Sequence, residues 1–585
     1  MPDERTVAAD DAIVLEIVRN YLMRTCEEMK AVVVRAAYST VIHEVLDYCC
    51  GIYLPDGGAA AEQSGIPIFL GNVGSVIQAT NATIGLDGLE PGDVIIANDP
   101  YSGGSHMCDT TTLLPIFDRG EAFGFVGFRA HLLDYGGKAP GGLFSDTTEV
   151  FQEGLVIPPV KLYRAGEPNP DVFRLLEANT RFPRENTGDM RALVSASRVG
   201  HERVQELIAR YGPARLRAMF DELMDRGERA SRAAIEQIPD GVYAASCMHD
   251  GTGSDDAPLD GPYRIAVEIT VDGSDVKVDL TGTSDQLTGP ANCPLGASIS
   301  GIRAAFKYIV APDYPTNEGC FRPLQLHVPE GTLLNPRKPA PTSMYFTPVS
   351  SVIELFQRAL APAIPDRTIA GTFGDICVSV FFGSHPDTGQ AFLCSEPEGG
   401  GYGASPQGDG ESCMVAPLNG DTKNVPIEVA ETKYGVLCER YELVPDSGGP
   451  GTYRGGLGSV REFAVRDDAR VGVSFLFDRQ TEPAWGLEGG RDGAANQAWI
   501  DRGTDRERKI GKITDHWLGG GATFSGIAGG GGGWGDPFER EPALVQRDVR
   551  DGFVTLAAAA RDYGVALDPA TLEILADETD ALRRR

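Results

Sequence analysis

The sequence predicts a mixed α+β protein of several domains, and three patterns along the chain carry that expectation. Helical apolar periodicity occupies residues 10–38 and 170–237, apolar and polar residues alternate as in half-buried strands from about residue 240, and glycine runs crowd the last third. The expected layout is a helical N-terminal part over residues 1–240, a mixed strand and helix region over 241–440, and a glycine-rich β region with a C-terminal helix over 441–585. At 585 residues the chain has room for about two to four domains at ~150 residues each. Cores of that size need no disulfide scaffold.

Taken in order, Ile13, Ile17, Leu22, Met29, Val33 and Ala36 form the apolar stripe of the first helix, with Glu27, Glu28 and Lys30 off it. The following stretch, VIHEVLDYCCGIY at 41–53, holds Asp47 among apolar neighbours. A lone buried carboxylate is costly, so Asp47 must be paired, ligated or turned to solvent. His43 beside it reads as an ordinary surface or core residue.

Residues 66–90 are mixed and apolar, and chemistry concentrates in 91–137. Val94–Ala97 is a short strand run ending in the turn Asn98-Asp99-Pro100, and Gly103-Gly104 allow a sharp bend before His106. His106 and Asp109, three apart, would face opposite ways on a strand but together in a helical turn. Phe123–Leu133 alternates as a strand, with Phe125, Arg129 and His131 on one parity and Phe128, Ala130 and Leu132 on the other. His131 therefore falls near a strand end, just before a Gly136-Gly137 turn. Two imidazoles with carboxylates at strand ends suggest a site for zinc, manganese or iron. H-x-x-D is a short pattern, and hydrogen-bonded loop or core residues are its competing reading.

Glu149–Leu162 reads as a loop in which Pro158-Pro159 breaks any helix, and 170–237 as a solvated helical layer without chemistry. Two strands flank the hairpin signal Asp272-Gly273. Helices are expected at 299–310 and roughly 350–364, and strands at 370–395. Glycines then dominate at 399–401, 448–458, 489–490 and 519–533. The stretch at 519–537 lacks the Gly-Lys-Ser/Thr ending of a phosphate-binding loop, so its glycines read as tight turns and close backbone approaches. Residues 543–583 are helical in pattern.

The net charge of −31, from 83 acidic and 52 basic residues, argues against nucleic acid or an anionic membrane as the principal partner. Eleven cysteines without a C-x-x-C pair, two of them adjacent at Cys49-Cys50, fit a reducing compartment. The acidic N-terminus has no signal-type apolar region, and no run reaches the ~20 apolar residues that span a bilayer. A cytoplasmic protein is expected.

Over about residues 10–570 the chain resembles the hydantoinase B / 5-oxoprolinase family. The resemblance rests on PGDVIIANDPYSGGSHMCD, RAHLLDYGG, QEGLVIPP, LTGTSDQLTGPAN, DSGGPGTYRGGLG, PAWGLEGG and GGGGGWGDP followed by YGV, in the family's order. It implies an A-type partner subunit that carries the ATP-dependent phosphorylation, hence a hetero-oligomer acting on a small molecule. It also implies a divalent metal held by two His and one or two Asp, which map onto Asp47, His106, Asp109 and His131. This chain reads VLDYCCGIY where relatives often carry Ser beside the acid. Asp134 matches the family's D-x-G-G element and is the candidate catalytic base. Asp134 and Asp99 are also candidates to orient the metal-bound histidines, with turn capping as the alternative. The favoured reaction is ATP-dependent opening of a hydantoin, 5-oxoproline or lactam ring. The alternatives are a subunit of an acetone- or acetophenone-type carboxylase, a non-catalytic scaffold for the A-type subunit, and a stand-alone metallohydrolase.

Overall fold

The computed structural model describes residues 9–69 and 71–584, and its architecture is α+β, with five open sheets among the described residues. The first helix runs Ala9–Ala36. Its buried stripe is Leu15, Val18, Leu22, Cys26, Met29 and Val33, whereas Ile13, Ile17 and Ala36 are exposed. Steps of three and four along that set track the 3.6-residue turn; the expected stripe was set one step out of phase at both ends.

Behind the helix lies a seven-stranded antiparallel sheet made of β1 (Tyr48–Tyr53), β2 (Ala59–Ser64), β3 (Val94–Ala97), β4 (Asp109–Asp118), β5 (Glu121–His131), β6 (Val160–Arg164) and β7 (Glu167–Pro168). The strand order is β2-β1-β5-β4-β3-β6-β7. Side chains alternate between its two faces. Ile52, Ile96, Leu114, Val126 and Phe128 face outward and share a core with the first helix and with the helix Pro183–Tyr211. Cys49, Ile95, Leu113 and Phe125 face inward and join a larger core that extends from Val41 to Ala528. The N-terminal part is thus helical on one side of a full sheet, and the inner face carries the expected chemistry.

The middle region builds a four-stranded sheet from Gly241–His249, Tyr263–Asp272, Asp275–Asp279 and Leu324–His327. The helices Leu295–Ile309 and Phe346–Leu360 pack against each other, and the second also packs on that sheet. Two further sheets follow. Phe381 and Phe475 of one meet Phe463 and Phe524 of the other, with ring centroids 5.4–6.0 Å apart. The pattern change at 240 coincides with the start of the strand Gly241–His249, whereas the one placed at 440 falls inside the strand Val436–Leu443. The C-terminal stretch is three short helices, Pro542–Arg550, Leu556–Tyr563 and Ala576–Arg583, instead of one. Gly564, with φ +63°, caps the second of them.

The glycine run at 529–533 belongs to none of the sheets. Its amides donate in turn to Asn496 Oδ1, Ala494 O, Gly456 O, Gly371 O and Arg491 O, so successive residues bond different segments around them. A β-carbon on Gly530, Gly531 or Gly532 would lie 1.9–2.0 Å from a carbonyl oxygen of Ser447, Tyr402 or Trp485. Backbones pack here directly against backbones, which only glycine permits.

Candidate metal centre

Three strand ends meet on the inner face of the first sheet. Asp109 opens β4 and pairs directly across from His131, the last residue of β5. Asp47 immediately precedes β1, and its carbonyl accepts the amide of His131 at 3.1 Å. His106 reaches the same corner from the turn before β4, where the Asp109 amide donates to its carbonyl at 3.2 Å. The bend depends on Gly103, with φ +88°, where a β-carbon would lie 2.6 Å from the Ser75 backbone. Neither strand parity nor helical spacing explains the His106–Asp109 pair; the turn does.

His106, Asp109 and His131 are buried, and one ligand atom from each lies within 4.8 Å of the others. His106 Nε2 is 3.1 Å and His131 Nδ1 3.5 Å from Asp109 Oδ1. The other carboxylate oxygen, Oδ2, accepts hydrogen bonds from the Ser105 hydroxyl and, at 2.8 Å, from the Tyr345 hydroxyl. Arg129 Nη2 in turn donates to Ser105 Oγ at 2.7 Å. The carboxylate is therefore divided: Oδ2 is held by hydroxyls and Oδ1 faces both imidazoles. Burial pushes the Asp109 carboxyl up, but the two imidazoles and Arg129 outweigh it and hold the group well below the usual carboxylate range.

Two buried atoms at this corner, Asp47 Oδ1 and His106 Nδ1, have no hydrogen-bond partner. Unpaired buried acceptors are costly. Together with a mixed imidazole and carboxylate donor set, they fit a divalent cation of the zinc, manganese or iron type. Asp47 lines the same cavity but stands outside the tight group of three. Burial pushes its carboxyl up to about 7, moderated by His131.

The structure places Asp134 elsewhere. It is buried, with Oδ1 accepting Arg181 Nη1 at 2.9 Å and Oδ2 accepting the amides of Arg181 and Gly136 at 2.8 and 3.2 Å. It does not line the cavity, and with both oxygens engaged it ties β5 to the segment that leads into the helix Pro183–Tyr211. Asp99 caps the turn Pro100–Ser102 by accepting the Tyr101 amide at 3.0 Å, and it contacts neither histidine.

The residue that sequence reading misses is Tyr345. It comes from the start of the helix Phe346–Leu360, stacks on His106 at 5.3 Å between ring centroids, and reaches Asp109 from the opposite half of the chain. No local pattern marks it. Tyr345→Phe removes one of the two hydroxyls on Asp109 Oδ2. Metal affinity, read by chelator competition, is expected to fall about tenfold with little change in melting temperature.

Glu153 holds the Tyr345 segment in place. Its buried carboxylate accepts Thr147 Oγ1 at 2.9 Å, the Thr342 amide at 2.9 Å and the Ser343 amide at 2.9 Å. Burial outweighs these bonds and pushes its carboxyl up to about 7. A raised carboxyl binds its proton more tightly when folded, so its contribution to stability falls as pH rises from its ordinary value of 4.5 and levels off above about 7. The melting-temperature advantage of wild type over Glu153→Gln is therefore expected to shrink between pH 5 and pH 8.

A family model described as Hydantoinase B/oxoprolinase matches residues 11–537. The caprolactamase subunit beta of Pseudomonas jessenii is 32% identical over 580 residues, covering 95% of this chain and 96% of that one. The crystal structure of the ATP-dependent caprolactamase from the same organism superposes with a TM-score of 0.91 at 29% identity, over 98% of this chain and 100% of that one. A nucleotide-free acetone carboxylase also gives a TM-score of 0.91, at 21% identity over 99% of this chain and 84% of that one. Among the described residues no helix is long and apolar enough to cross a membrane.

Proposed function

Because the chain belongs to the hydantoinase B/oxoprolinase family, we propose that it is the B-type subunit of an ATP-dependent enzyme that opens a cyclic amide after an A-type partner subunit has phosphorylated it. The observation that carries this reading is the buried His106–Asp109–His131 cluster at the wall of a largely apolar cavity. The caprolactamase similarity over nearly the whole length supports it. The likeness to acetone carboxylase is one of fold, so carboxylation of a ketone stays the second choice.

His106, Asp109 and His131 would hold a divalent cation. When bound, such an ion supplies Lewis-acid polarisation and a more acidic water. The protein's own residues prepare that chemistry. Ser105 and Tyr345 fix Asp109 Oδ2, which leaves Oδ1 for the centre. Tyr345 and the neighbouring imidazoles keep the ring planes in place. Asp47, with a buried and unpartnered Oδ1 in the same cavity, would either complete the metal's donor set or act as the base that the family motif assigns to Asp134.

The test is reconstitution with the A-type partner. ADP release should be coupled to ring opening of hydantoins, lactams or 5-oxoproline, and should stop on chelation. Coupling seen only with ketones and bicarbonate would transfer the chain to carboxylation, and ring opening without ATP would overturn the proposal.

A further inference from the structure

The cavity beside the cluster states what kind of molecule it accepts. Its volume is about 60 Å³. That admits only a few waters at ~30 Å³ each, so an occupant must be a small ring with few substituents. Val41, Ile68, Leu143, Phe346, Val378 and Leu418 make the wall largely apolar. No lysine or arginine lines it among the described residues. The Arg129 guanidinium lies over the lining residue Phe69, 5.1 Å from the ring centroid, and its Nη2 donates to Ser105 Oγ. Lys423, next along the chain from the lining residue Thr422, is exposed.

Ser395, Asn419 and Thr422 are the polar residues that line this space away from the cluster, and Asn419 is the one with a buried unpartnered atom. Asn419 is 7% exposed, lines the cavity, and its Oδ1 has no hydrogen-bond partner. A buried amide without a partner is costly. A ring amide supplies the complementary N–H and C=O, and would satisfy it.

From these features we infer that the site takes a small, neutral, mostly apolar cyclic amide read by Asn419, and rejects a ring that carries its own carboxylate. This rests on the cyclic-amide reading above and narrows it. A phosphate on the reacting oxygen would take the corner beside His106 and His131. A second anion on the ring would then be buried among apolar side chains beside Asp47 and Asp109, with no lysine or arginine among the described lining residues to pair with it. Burying an unpaired charge is among the most costly events in binding.

The matched probes are 2-pyrrolidinone and 5-oxoproline, five-membered lactams that differ only by the carboxylate. In the two-subunit complex with ATP, kcat/KM is expected to favour 2-pyrrolidinone by at least about 100-fold. The partner subunit could impose the same preference, so the deciding arm is made in this chain. Ser395 lines the cavity and is half-buried, and Ser395→Lys should narrow the ratio at least tenfold by supplying the missing cation. Asn419→Leu should raise KM for 2-pyrrolidinone about tenfold. Equal kcat/KM for the two rings, or a ratio that Ser395→Lys does not move, would overturn the inference.

If no cyclic amide is turned over, the reaction assignment fails, and binding then judges this inference alone. Saturation-transfer NMR on the complex without ATP, at millimolar ligand, should show 2-pyrrolidinone bound by wild type and lost in Asn419→Leu. Equal binding of 5-oxoproline, or no lactam signal, would overturn it.

Discussion

Replacing His106 by Ala is expected to remove the bound metal and ATP-coupled turnover together. Elemental analysis of the complex should find about one divalent ion per chain in wild type and a small fraction of that in the variant. Turnover should fall by about three orders of magnitude or more. The size follows from the site's construction. Asp109 Oδ1 is shared by His106 at 3.1 Å and His131 at 3.5 Å, so losing one imidazole removes a donor and unbalances the carboxylate facing both. His131→Ala should do the same. Turnover retained without metal would move the chemistry to the partner subunit and leave this chain as its scaffold. A melting temperature measured on each variant separates loss of metal from loss of fold.

The second large effect concerns the fold. Gly531→Ala is expected to destabilise the protein by at least about 3 kcal/mol, read as loss of soluble protein or a large fall in melting temperature. The added methyl carbon would lie 2.0 Å from Tyr402 O and 2.2 Å from its carbonyl carbon, and the segment also bonds Gly456 and Gly449 through its own amide and carbonyl. Backbone cannot rotate aside as a side chain does. Gly503→Ala is the control. That residue, unlike Gly531, has positive φ, at +79°, but meets nothing within 4 Å, so it should cost about 1 kcal/mol from backbone strain alone.

Much of this was legible because it is local. The period of Phe123–Leu133 puts His131 near a strand end on the parity of Phe125 and Arg129, and β5 ends at His131. The hairpin around Asp272-Gly273 and the helices near 300 and 350 follow from period and turn chemistry. The metal candidates Asp47, His106, Asp109 and His131 all reach one cavity.

What stayed hidden is set by long-range packing. Tyr345 is 236 positions from Asp109, and nothing in its own neighbourhood announces the contact. Asp134 looked catalytic because it shares a short motif with His131, yet Arg181 claims it from 47 positions away. The stripe of the first helix was misphased because Ile13 and Ile17 are apolar but exposed, and composition alone does not say which side a sheet will cover.

The division of the site between two distant stretches has a consequence in time. His106, Asp109 and His131 are synthesised well before Tyr345 and Asn419, and domains tend to fold from the N-terminus as the chain emerges. The first sheet can form with its corner exposed, but Asp109 then lacks the Tyr345 hydroxyl and the cavity lacks its far wall. Completion of the site thus requires the C-terminal half to dock, so a partly made chain would expose His106, Asp109 and His131 before their enclosure is built.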